Sequence, residues 1–164
     1  MELLLTGYKG NDNTSKLVLD LMTPKYNVDI LYLANDFSKI KQQMEKQLTL
    51  KEYDYIFSFG EKQEAKEIHI ETSAMVNGQR VETSYPVESL IKRLEAGGYH
   101  PIVSHDAGAN FCNFTYYTGL RVIQDDKRRS KYIFIHLPSS ESMDVMKFSL
   151  FFSKVLNEIL KEGE

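Results

Sequence analysis

Residues 3–33, LLLTGYKGNDNTSKLVLDLMTPKYNVDILYL, read as a strand, a helix and a second strand. Leu3-Leu4-Leu5 is a short apolar run that ends at Thr6-Gly7, as a buried strand does when it enters a turn. From Ser15 to Leu21, apolar residues at 17, 18, 19 and 21 predict a short helix, capped by Asn13 or Thr14 through a side-chain oxygen. Val28 to Leu33 is again an apolar strand.

The alternation continues along the chain. Asp36 to Leu48 places Phe37, Ile40, Met44 and Leu48 on one helical face, and Tyr53 to Phe59 is a third strand closed by Gly60. Ile68, Ile70 and Ser73 to Val76 look strand-like, and Asn77-Gly78 signals a tight turn. Pro86 opens a helix through Leu90, Ile91 and Leu94 that stops at Gly97-Gly98. Residues 100–104 and 131–137 are expected as two further core strands, and a long helix closes the chain from about Met143 to Leu160. Strands alternating with helices predict one α/β domain over residues 1–164, a three-layer sandwich around an open, twisted, mostly parallel sheet. In such folds function collects where strands run into helices at their carboxyl ends. The loops after Thr6, Phe59, Ser104 and His136 are therefore the places to look.

Composition narrows the function classes. The 164 residues are 42% hydrophobic and 26% charged with a net charge of −3, so bulk charge attracts neither nucleic acid nor an anionic membrane. The basic cluster Lys127-Arg128-Arg129 with Lys131 follows Asp125-Asp126 and reads as a solvated loop. No segment has the ~18–20 apolar residues a membrane span needs, and MELLLTGYKG lacks the basic stretch of a signal peptide. The cytoplasm is the expected location. The single cysteine rules out an internal disulfide and a CxxC metal pair. TGYKGND, after the first strand, fits neither common phosphate-loop pattern.

That cysteine sits in SHDAGANFCNFTYY, residues 104–117. A lone cysteine is ordinarily a small buried hydrophobe. Here the turn Ala107-Gly108-Ala109 feeds a helix predicted to begin near Asn110, which puts Cys112 in its first turn. Unpaired N–H groups and the helix dipole favour a thiolate there, and the same groups can receive an oxyanion. His136 ends the strand YIFIHLP on the same rim, as an edge histidine or as a proton shuttle for Cys112. Glu71, in IHIETSA, is either an exposed strand residue or the group that orients an imidazole. His105-Asp106 beside Cys112 make a weak metal site, with too few ligands.

These residues carry a resemblance. SHDAGANFCN resembles the cysteine motif of the pyroglutamyl peptidase I family, Ser-x-x-Ala-Gly-x-x-x-Cys-Asn, matching at Ser104, Ala107, Gly108, Cys112 and Asn113. FIHLP (134–138) resembles the family's histidine strand, and Ile68, Glu71 and Ala74 fall at its spacing after Gly60. TGY and NTS (13–15) are similar to its first loop. The resemblance implies a phosphorylase/hydrolase-like α/β fold and a cytosolic cysteine peptidase, often oligomeric and without metal or cofactor. It would remove N-terminal pyroglutamyl residues through Cys112, His136 and Glu71, with Tyr8 and Arg80 at the substrate.

The chain also departs from the pattern. The first loop shrinks to YKGND with Tyr8 as its only aromatic, and GEKQEAK is charged where the family is small and neutral. A long insertion after MVNGQR is missing, and Arg80 stands one residue out of register. Two readings therefore stand beside the pyroglutamyl one: the same triad on another small acyl or amide substrate, and a binding protein on a degenerate peptidase fold. A flavodoxin-like nucleotide binder is a more distant third.

Overall fold

The strand–helix–strand unit that opens the chain becomes a parallel pair in the computed structural model, which describes residues 1–163. β1 (Leu3–Tyr8) runs beside β2 (Val28–Leu33), and α1 (Thr14–Leu21) crosses between them, capped by the Asn13 side chain, which accepts from the Ser15 N–H. α2 (Phe37–Leu50) begins at Asp36, whose carboxylate accepts from the Lys39 N–H. It leads into β3 (Tyr55–Glu61). Then come β4 (His69–Glu71), β5 (Ser73–Val76), β6 (Gln79–Glu82), α3 (Val87–Ala96) and β7 (Ile102–Ser104). α4 (Phe111–Asp125), β8 (Lys131–Leu137) and α5 (Val145–Glu162) complete the chain.

The sheet has the order β2-β1-β3-β8-β4-β7. All its pairs are parallel except β4 with β8, which run antiparallel. Alternation along each strand separates two cores. Leu3, Leu5, Phe57, Phe59, Ile133 and Ile135 face α1, α3 and α5. Leu4, Tyr8, Ile56, Tyr132 and Phe134 face α2 and α4. The expected three layers are present.

Two differences from the sequence reading have physical causes. Residues 100–104 were expected as a core strand; only 102–104 pair, and they form the sheet's edge with Ile102 45% and Val103 42% exposed. An apolar run records β propensity, not whether anything covers it. Phe37 was expected on the buried face of α2 with Ile40, Met44 and Leu48, yet it is 47% exposed while those three are buried. Its ring packs on Phe111 and Phe114 of α4 instead of entering the sheet core.

β5 and β6 form a separate hairpin. Its turn residues Asn77 and Gly78 both have positive φ, 52° and 76°, as a two-residue turn that matches strand twist requires. Asn113 of α4 clamps this hairpin: its amide donates to the Met75 carbonyl at 2.8 Å and accepts from the Met75 N–H at 3.1 Å.

Candidate active site

Strand parity brings the chemistry to one spot. His136 shares the face of Tyr132 and Phe134, toward α4. In the antiparallel register of β4 on β8, Ile70 lies opposite Ile135 and Glu71 opposite Phe134. Glu71 thus sits on the α4 face, on the diagonal to His136, within reach of a long side chain. The contact is made: His136 Nδ1 and Glu71 Oε1 are 2.9 Å apart, and both side chains are buried. Glu71 is fully enclosed, and its backbone carbonyl accepts from the Tyr116 hydroxyl at 2.9 Å.

Cys112 enters from above, in the first turn of α4. Asn110, the residue before that helix, makes no side-chain cap, so the opening N–H groups are left without one. The loop leading in is shaped by Asp106, whose carboxylate accepts from the Gly108 N–H at 2.9 Å. Below the sulfur is Gly60 of β3. A Cβ on Gly60 would lie 2.6 Å from Cys112 Sγ and 2.9 Å from Phe134 Cζ, so the glycine makes the space that the sulfur fills.

Burial by itself would lower the pKa of His136. The neighbouring Cys112 sulfur and the hydrogen bond to Glu71, reinforced by the charges of both, overcome burial and raise it to about 9. At neutral pH the imidazole therefore carries its proton. In an unfolded chain a histidine titrates near 6.5. The stability this gives is fully present below about pH 6.5 and is lost as pH climbs through about 9.

Cys112 and His136 open on a cleft of about 520 Å³, bordered by Asn13, Lys62, Gln63, Glu64 and the 106–110 loop. Glu61, at the end of β3, is turned to structural use: its carboxylate accepts from the Thr14 N–H at 3.0 Å and the Thr14 hydroxyl at 2.7 Å, at the start of α1. A second cavity of about 530 Å³ shares residues 106 and 108–110 with the first and has Phe37, Met75 and Phe114 on its walls.

The other two expected site residues lie just outside the cleft. Tyr8 is buried behind α4, its hydroxyl donating to Thr115 Oγ1 at 2.7 Å and to the Phe111 carbonyl at 3.2 Å. Arg80 donates to Ser73 Oγ at 2.6 Å and to the His105 carbonyl at 2.9 Å, beside a cavity of about 170 Å³ that also touches residues 106–108. It holds the loop that leads to Cys112. Among the described residues there is no group of three or more His, Cys, Asp or Glu side chains suited to a metal ion, and no helix long and apolar enough to cross a membrane. Sequence reasoning passed over Gly60 as a functional position, although a glycine closing a core strand is itself the signal for a close approach.

Comparison with known proteins gives the chain a family. Residues 76–161 match the family model of pyroglutamyl peptidase, a span that holds Cys112 and His136 and begins just after Glu71. A pyrrolidone-carboxylate peptidase of Oceanobacillus iheyensis is 34% identical over 61 residues, 37% of this chain; the match spans only 31% of that relative's length. A mutant pyrrolidone carboxyl peptidase of Pyrococcus furiosus superposes with a TM-score of 0.84 at 21% identity, covering 99% of both chains. The enzyme of Fervidobacterium islandicum also gives 0.84, at 19% identity over 98% of this chain and 99% of that one. Pyroglutamyl peptidase I of Bacillus amyloliquefaciens gives 0.79 at 19% identity, covering 93% and 94%. These structures share the fold, and the matched model extends over more than half of the sequence: the chain belongs to the pyroglutamyl peptidase family.

Proposed function

We propose that this protein is a cysteine peptidase that removes N-terminal pyroglutamyl residues from peptides, with Cys112 as nucleophile, His136 as acid–base and Glu71 as the group that holds His136. The observation that carries this is the buried His136–Glu71 pair at 2.9 Å opening on the same cleft as a cysteine at a helix start, in a chain of this family.

The steps follow from the positions. The raised pKa of His136 favours a charge pair, sulfur anion and imidazolium, before substrate arrives. The Cys112 sulfur attacks the carbonyl carbon that joins the pyroglutamyl ring to the next residue. The resulting oxyanion is received by N–H groups of the first turn of α4. His136 gives its proton to the leaving amine, and the acyl group stays on sulfur as a thioester. His136 then takes a proton from water, which attacks the thioester and releases pyroglutamic acid.

This sequence also orients the substrate. The leaving amine must face His136, on the side of Lys62, Gln63 and Glu64, so the departing peptide lies in the more polar cleft. The acyl group points the other way, past Ala109 and Asn110, toward the cavity bounded by Phe37, Met75 and Phe114. An aromatic and apolar wall suits a small neutral lactam. Arg80 serves substrate binding through the loop it holds. The cytoplasmic setting and self-association that the family implies are part of the same proposal. The Phe37 wall comes from α2 and not from the shortened first loop, so it favours, as a second reading, the same triad on a neighbouring small acyl amide.

Hydrolysis of a pyroglutamyl-aryl amide is the test. The wild type should release the aryl amine, and Cys112→Ser should lose at least about 10³-fold in kcat/KM. Turnover of other acyl amides without the pyroglutamyl one would move the assignment to the second reading; a wild type inert to all of them would end both.

A further inference from the structure

Tyr8, Gly60 and His136 form one row across three adjacent strands, on the face that α4 covers. The β1–β3 pairing ends at Thr6 with Ser58, and the same register carried two residues on brings Tyr8 level with Gly60. Gly60 in turn pairs with His136 of β8. Strands lie about 4.8 Å apart, so the backbones of Tyr8 and His136 flank the Gly60 gap from opposite sides. The Cys112 sulfur occupies that gap. One wall is the imidazole that exchanges a proton with it. The other wall carries a phenol, and the mechanism above gives that phenol nothing to do.

The phenol is held near the sulfur. Its two oxygen partners, the Phe111 carbonyl and Thr115 Oγ1, belong to the residue before Cys112 and the residue three after it. The hydroxyl is thereby held against the same helical turn that carries the nucleophile, and its ring is buried. Thr115 keeps its own bond to the Phe111 carbonyl, at 2.8 Å, whether or not Tyr8 donates to it. Releasing Tyr8 leaves no charge unpaired.

We propose that the Tyr8 hydroxyl is a second hydrogen-bond donor to the Cys112 sulfur, swinging onto it from Thr115 as the sulfur ionises and holding the anion on the side away from His136. Tyr8 is thus a positioning residue for the nucleophile. Burial first, and the charge on Cys112 second, raise its own pKa well above 10, so the phenol keeps its proton and stays a donor at neutral pH. The other ionisable groups around the sulfur are His136, backed by Glu71, and Tyr132 from β8. Glu61, Lys62, Glu64 and Asp106 line the same cleft, Glu61 with its carboxylate bonded to Thr14. Of these, only His136 and Tyr8 stand in the row with Gly60.

The inference rests on Cys112 being the nucleophile and is independent of which acyl group it accepts. Its test therefore uses no substrate. Cys112 is the only cysteine, so iodoacetamide consumption reports its ionisation alone. In Tyr8→Phe the pH midpoint of alkylation should rise by about one unit, a roughly tenfold slower reaction on the limb below the midpoint, with the high-pH plateau rate unchanged. Replacing Tyr8 with a fluorinated tyrosine, a stronger donor of nearly the same shape, should move the midpoint down. That second variant keeps the test open if Tyr8→Phe fails to fold. Superimposable profiles for wild type and either variant would overturn the proposal. So would a Tyr8→Phe effect confined to the plateau rate, which signals only a displaced sulfur. A protein that shows the shifts and yet leaves pyroglutamyl amides intact would refute the substrate assignment and support Tyr8.

Discussion

Gly60→Ala is expected to cut kcat/KM for a pyroglutamyl-aryl amide by about 10²-fold or more, with the fold retained. A reacting atom displaced by about 1 Å costs that much when attack depends on alignment. The added methyl would sit 2.6 Å from Cys112 Sγ and 2.9 Å from the Phe134 ring, so one of them must move. Phe134 is fully buried in a packed layer, whereas Cys112 is half-buried at the mouth of the cleft. The sulfur is the softer of the two and takes the displacement. Overpacking of this kind costs about 1–3 kcal/mol, which a thermal melt would register as a modest drop. Full activity in Gly60→Ala would mean that the sulfur does not rest in the gap.

Glu71 should show the largest stability effect at the site, and its two replacements separate two roles. Glu71→Ala leaves a buried imidazolium without its partner, and breaking a buried pair in this way costs about 3–5 kcal/mol. Denaturant unfolding at pH 6 should show the whole of that loss. Glu71→Gln keeps the shape and can still hydrogen-bond Nδ1, so it should unfold closer to the wild type. It gives up the negative charge that raises the His136 pKa. Its kcat/KM should nevertheless fall by about 10³–10⁴-fold, as when the carboxylate of a triad is neutralised. If Glu71→Gln retains most of its activity, the carboxylate is a packing element and His136 works without it.

The readability of this chain follows its physics. α2 and α5 announce themselves because a repeat of 3.6 residues needs a long segment and the sequence supplies one; Asn13 and Asp36 mark the starts of α1 and α2 by their side-chain oxygens. The positions of Cys112 and His136, proposed as nucleophile and base, are legible for a local reason: a turn opening a helix and a strand running into Pro138 are short-range patterns. Other features depend on what lies across the fold. Three residues, 69–71, cannot announce that their strand runs against β8, and that direction is what aligns Glu71 with His136. The edge position of β7 is invisible in residues 102–104, because coverage is decided by helices elsewhere. Tyr8 looked like part of a binding loop, since the register that carries it behind Cys112 is a property of three strands together.

The reversed course of β4 also limits where the gene can gain or lose codons. Between Lys62 and Ile68 the polypeptide must turn round and arrive in phase, with Ile70 directed at one layer and Glu71 at the other. Deleting a single codon there without a compensating bulge would exchange the two, driving a carboxylate into hydrocarbon and withdrawing it from the imidazole. Viable length variants should therefore cluster at the 77–78 bend, whose tip projects into water, and avoid the stretch before β4.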